Sequence, residues 1–122
     1  MGKITGRLFH ITPISSYLKA IDRGEYASDT LASEGFIHCS LRDQVLPVAE
    51  TWFKGQNKLL LLEINPEKLL SEVRMDPVPG AGEYPHIYGV LNLDAITVVW
   101  EFEPDTEGHF HFPTVKWMPE GI

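Results

Sequence analysis

Three histidines stand in β-prone contexts beside turns: His10 in "LFHIT", His38 in "GFIHCS" and His86 in "YPHIYG". Histidine is a costly choice on a strand that faces a core, because both ring nitrogens need partners and its charge changes near neutral pH. One such residue reads as a satisfied core histidine. Three on converging strands would line a cleft and supply it with acid/base groups. The segment "YPHIYG" is the richest: alternation puts Tyr84, His86 and Tyr88 on one face, with Pro85 and Gly89 fixing the backbone. That face suits an aromatic, hydrogen-bonding wall for a planar ligand, or equally an edge strand that packs a loop.

The same alternation in "GFIHCS" turns His38 and Ser40 one way and Cys39 the other. Cys39 is then packing rather than a nucleophile paired with His38. Ser40 opens "SLRD", the pattern of a capping box, which is compatible with a ligand contact. No metal site is expected. His10, His38 and His86 lack the closely spaced partner that ligand sets usually contain, and the near pair His109 and His111 has no adjacent carboxylate or cysteine.

These residues need strands to position them. "RLFHIT" (7–12) reads as a first strand closed by Pro13, and "ISSYLKAIDRG" (14–24) as a short amphipathic helix capped by Ser15 or Ser16 and stopped by Gly24. "EYASDTLASE" reads as a polar connection into the strand "GFIHC". After "SLRD" a helix should carry Val45, Ala49, Trp52 and Phe53 inward, with Pro47 kinking or shortening its first half. "KLLLLEI" (58–64) is a continuous apolar run, as a central strand covered on both faces requires. "NPEKLL" reads as a capped single turn and "SEVRM" (71–75) as a shorter strand. "DPVPGAGEYP" (76–85), with its prolines and glycines, reads as the longest loop, "HIYGVL" (86–91) as another strand and "AITVVWEFE" (95–103) as the firmest strand of all. "HFHF" (109–112) alternates like a strand with one wet face. Six or seven strands interleaved with two or three short helices make the class α+β.

Composition excludes several functions. With 10 basic against 17 acidic residues the formal net charge is −7, and no Lys/Arg cluster offers a track for a nucleic-acid backbone. The apolar run at 59–62 is too short to cross a bilayer, and the opening "MGKITGRLFH" does not read as a signal peptide. The lone cysteine fits a reducing cytoplasm. A chain of 122 residues with 43% hydrophobic content reads as one domain, 1–122, able to bury a core.

The order "LFHIT", "GFIHCS", "VAETWFKGQNKLLLLEI", "YPHIYGVLN" and "EGHFHFP" resembles the family known as domain of unknown function 952, over about residues 7–113. That family is grouped by fold with the ADP-ribosyltransferases. The resemblance implies a split, mixed β core of two small sheets with an NAD cleft between them. On it, His10 resembles the first-strand element of those enzymes' three-strand signature, His38 or Ser40 the second, and the His86–Tyr88 segment the third. The implied function is recognition of a nucleotide such as NAD or ADP-ribose, with NAD as a substrate rather than a resident cofactor. Thr12 and Tyr84 would join His10, Ser40 and Tyr88 in binding it. His38, His86 and Tyr88 would serve glycosyl transfer or hydrolysis. Breaking the nicotinamide bond builds positive charge on the ribose, and these enzymes meet it with a Glu that "HIYG" lacks. The fold group also resembles the RNA 2'-phosphotransferases, which work without that Glu, although only Arg7, Arg23, Arg42 and Arg74 could supply their basic residues. The rival is a non-catalytic binding module. The two part on whether Glu34 or Glu83 comes within about 3 to 4 Å of a cleft histidine.

Overall fold

The apolar run forms β4 (Leu59–Ile64), and Leu59, Leu60, Leu61, Leu62 and Ile64 are all at most 1% exposed in the computed structural model, which describes residues 6–118. β4 is the middle strand of an antiparallel sheet, between β1 (Leu8–Pro13) and β8 (Ile96–Glu101), so hydrogen bonds run to both sides and side chains are covered on both faces. Alternation divides the core. Leu62 and Ile64 join Leu8 on one face, while Leu59 and Leu61 join Phe9 and Ile11 on the other. Each buried leucine contributes about 1.5–3 kcal/mol by leaving water, so this run is the main apolar anchor of the fold.

The second face is covered by α3 (Val45–Trp52), through Val45 and Ala49, and by Phe102 and Phe110. The first face meets Tyr26, Ile37, Cys39, Ile87 and Leu91. Ile37 and Ile87 belong to a second antiparallel sheet, in the order β3 (Ile37–His38), β6 (Gly82–Tyr88), β5 (Glu72–Val78). A two-residue pair of β2 (Glu25–Tyr26) with β7 (Leu91–Asn92) closes the same side. The two larger sheets are stitched together by reciprocal backbone bonds between Phe9 and Ser40, both 2.8 Å. Two further helices, α1 (Ile14–Arg23) and α2 (Asp29–Glu34), lie between β1 and β3. The class is therefore α+β, built of small antiparallel sheets and a few short helices.

Several expectations are corrected by the structure. The core is antiparallel rather than mixed in all the pairings among the described residues. The expected loop at 76–85 is mostly hairpin: β5 runs on to Val78 and β6 begins at Gly82, with Gly80 and Gly82 in the left-handed region at the turn. Proline did not forbid this. Pro77 lies on an edge strand, and Pro85 stands where β3 has ended, needing only its carbonyl, which accepts from Cys39 N–H at 3.0 Å. The expected strand at 86–91 divides at Gly89, where φ is +151° and a Cβ would run into the Ser71 side chain. "EYASDTLASE" contains β2 and α2, and "HFHF" alternates wet and buried without joining a sheet.

Caps shift as well. Pro13, not Ser15 or Ser16, precedes α1, while Gly24 ends it as expected with φ +86°. In α1 the buried residue is Ala20, and Leu18 and Ile21 stay half exposed. Gln44 rather than Asp43 reaches back to close the turn before α3, its Oε1 accepting from Leu41 N–H at 2.9 Å. Residues 42–44 form a 3-10 turn, so Pro47 falls in the first turn of α3, where its missing N–H is harmless. Phe53 packs against the core, but Trp52 is 72% exposed and does not.

Candidate functional site

The sheet of β3, β6 and β5 has one face in the core and one facing outward. Register decides which residues share the outer face. His38 pairs with His86, His86 with Arg74, Tyr88 with Glu72 and Tyr84 with Asp76. His86 is 4% exposed, and its Nδ1 lies 2.8 Å from Asp76 Oδ2. A carboxylate only accepts, so Nδ1 carries the proton. Tyr88 donates its hydroxyl to the same oxygen of Asp76. The tyrosine and then the histidine hold the Asp76 carboxyl below the usual carboxylate range, and the carboxylate raises the Tyr88 phenol in return. Arg74, paired with Glu72 at 2.9 and 3.1 Å, lies over the Tyr88 ring at 4.4 Å.

Phe36 covers this group. Its ring stacks on His86 with centroids 4.1 Å apart and planes 13° from parallel, and it also touches His38 and Tyr88 at 5.0 and 5.3 Å. His38 stands edge-on to His86 at 5.0 Å and meets Glu34 through Nε2 at 3.3 Å. That last pair is exposed. The other nitrogen of His86, Nε2, is buried and has no hydrogen-bond partner among the described residues.

His10 goes elsewhere. It shares its side of β1 with Leu8 and Thr12, and its ring is buried beside Tyr26. Nδ1 donates to the His38 carbonyl at 2.5 Å, Nε2 is 2.7 Å from the Tyr26 hydroxyl, and Thr12 Oγ1 is 2.9 Å from that same hydroxyl. Burial lowers the His10 pKa to about 4, against the pull of the His38 carbonyl, and pushes Tyr26 up to about 12. The ring is therefore neutral at pH 7, and with Nδ1 protonated its Nε2 can only accept, sharing the single Tyr26 hydroxyl proton with Thr12 Oγ1, to which Tyr26 also donates.

The candidate residues thus fall into two sets. His38, Tyr84, His86 and Tyr88 share the outer face; His10 and Thr12 lie within the core, behind β3. Ser40 is buried at the Phe9 junction, where its backbone is used. Glu34 comes within reach of His38. Glu83 alternates away from His86 along β6, and its carbonyl accepts from Gln44 Nε2 at 2.7 Å. Cys39 is buried and its thiol is pushed up by desolvation, as packing requires. His111 bonds Asp105 at 2.8 Å, away from both sets. Among the described residues no group of three or more metal-ligating side chains has the geometry to hold an ion, and no helix is long and apolar enough to cross a membrane.

Three residues of these clusters escaped sequence reasoning. Asp76 was hidden in the supposed loop, although Glu72, Arg74 and Asp76 already alternate. Tyr26 lay in a stretch read as polar, and Phe36 passed as an ordinary strand residue.

An α+β chain of small antiparallel sheets, with a histidine–carboxylate–tyrosine group on one outward face, is the class of protein that fold and site define. The chain belongs to the family described as "Protein of unknown function (DUF952)", whose model matches residues 11–99. Its fold is similar to that of protein CC0527 from Caulobacter crescentus. The crystal structure of that protein is 26% identical, with a TM-score of 0.79 over 87% of this chain and 94% of the other. Its solution structure is 27% identical, with a TM-score of 0.74 over 84% and 90%. No curated protein matches the chain.

Proposed function

We propose that the outward face of β3, β6 and β5 binds a small nucleotide of the NAD or ADP-ribose kind in a cytoplasmic protein, and that Asp76 and His86 act on it as an acid/base pair. The supporting observation is the state of His86: Nδ1 is held by Asp76 at 2.8 Å, while the buried Nε2 has no partner among the described residues. A buried acceptor without a partner costs about 1–3 kcal/mol, and a ligand hydroxyl or amide would relieve it. A carboxylate that fixes one ring nitrogen leaves the other free to take a proton, which is the arrangement a general base needs.

In the ADP-ribosyltransferase-like version of this reading, the attacking hydroxyl oxygen forms the bond to the ribose carbon, and nicotinamide leaves with the electron pair of the broken glycosidic bond. The hydroxyl proton passes to His86 Nε2. Asp76 supplies the negative charge that "HIYG" itself lacks, and Tyr84, Tyr88 and His38 line the face. His10, Thr12 and Ser40 support it from behind rather than touching the ligand.

A non-catalytic binding module is the second reading. The Phe36 ring on His86 favours it, because it covers the base. Thermal shift with NAD and ADP-ribose tests the proposal: wild type should be stabilised by mass action, and Asp76→Asn should lose most of the gain. If neither nucleotide stabilises wild type, the proposal fails. Release of nicotinamide from NAD, followed by chromatography, then separates turnover from binding alone.

A further inference from the structure

The group on the outer face is complete except for one feature: the flat surface of His86 is occupied by the protein's own Phe36. Phe36 sits parallel to the imidazole at 4.1 Å while remaining only half buried. Its support is slight. It follows Gly35, whose φ is +89° and whose N–H bonds back to Leu31 and Thr30 at the end of α2. α2 has six residues and none of them is buried; of these, Leu31, partly buried, packs against the core. Thr30 Oγ1, which donates to the Phe36 carbonyl at 2.9 Å, ties the aromatic residue to that helix. A short helix with so little apolar anchorage opens at low free-energy cost, so the Phe36 ring is the movable member of the stack. His86 and Asp76 belong to paired strands and are the fixed members.

We infer that Phe36 occupies a ligand slot: a flat, uncharged aromatic ring stacks on the face of His86 when α2 and Phe36 swing away. Two observations set this class. The slot is shaped by an aromatic ring that already fills it, and His86 Nε2, a buried atom with no hydrogen-bond partner among the described residues, lies in the plane of the slot's floor, where a different part of the ligand reaches it. Charge sets the rest. Glu34, Glu72 and Asp76 surround the face, and Arg74 is already paired with Glu72, so an anionic ring is disfavoured.

The inference rests on the proposed use of the His86 face and extends it to the part of the ligand that stacks there. Phenol is the probe, and benzoate is its anionic counterpart. Binding is followed by NMR of the histidine rings and by calorimetry with the full chain. Phenol should bind Phe36→Ala about tenfold or more tighter than wild type, because an occupied slot lowers apparent affinity by the fraction open. It should move the His86 resonances, and benzoate should bind about tenfold weaker than phenol. If Phe36→Ala does not fold, Phe36→Leu, which keeps apolar bulk without the flat ring, should show the same order. Equal phenol affinity in wild type and variant, or binding that leaves His86 unmoved, overturns the slot. The outcomes separate the two readings. Stabilisation of wild type by NAD without a phenol gain in the variant sinks the slot alone, whereas a phenol gain without any nucleotide effect sustains the slot and sinks the nucleotide.

Discussion

Two histidine clusters meet through the backbone of His38, and they differ in what surrounds them. Behind β3, His10 is closed in by Tyr26 and Thr12 and spends both ring nitrogens on protein partners. In front, His86 spends one nitrogen on Asp76 and keeps the other, beneath a half-buried aromatic cover, without a partner among the described residues. The same residue type is thus used once for structure and once where chemistry is available. The teaching is that burial alone does not tell the two histidines apart, since both are buried; the unspent nitrogen does.

The sharpest way to break this comparison is acid. The folded His10 pKa of about 4 lies below its ordinary 6.5, so between these values the unfolded chain binds a proton that the native state refuses. Stability from this group is complete above pH 6.5 and falls as pH drops, levelling below about 4, for a loss of about 3 kcal/mol. Urea denaturation across that range should show the slope in wild type, and His10→Leu should remove it. An unchanged slope in the variant would mean that His10 is not the buried neutral group described. Next in size, Tyr26→Phe should cost about 1–3 kcal/mol by leaving His10 Nε2 without a donor. A cost near zero would show that the buried network contributes little.

In front the effects on stability should be smaller. Asp76→Asn changes a partly exposed group screened by water, so the urea midpoint should move far less than for Tyr26→Phe while nucleotide stabilisation is lost. A shift as large as that of Tyr26→Phe would erase the distinction between the two clusters. The finest test is Tyr88→Phe: with its principal donor gone, Asp76 should titrate closer to an ordinary aspartate, read from its carboxyl carbon by NMR. No movement would show that the phenol does not hold the carboxylate.

Much of the framework was legible. "KLLLLEI" reads as a central strand because both faces must be apolar when both are covered, and "YPHIYG" displays its shared face through a period of two. The site was legible only by halves. Tyr84, His86 and Tyr88 are brought together by local alternation, but Asp76 joins them because β5 continues past Met75, where "DPVPGAG" gives every local sign of a loop. Prolines are tolerated there by sheet position, a property no neighbouring residue records.

His10 shows the boundary most clearly. By itself the sequence determined that His10, His38 and His86 lie on strands and which neighbours share their faces, because side-chain direction along a strand is a local property. It could not say whether those faces meet. The pairing of Phe9 with Ser40 fixes β1 against the end of β3, and the burial of Leu8 with Tyr26 turns the His10 ring to the inner side. Only the tertiary structure therefore separated a histidine with both nitrogens satisfied from one with a nitrogen to spare, since hydrogen-bond partners distant in the chain are chosen by packing and register rather than by local pattern.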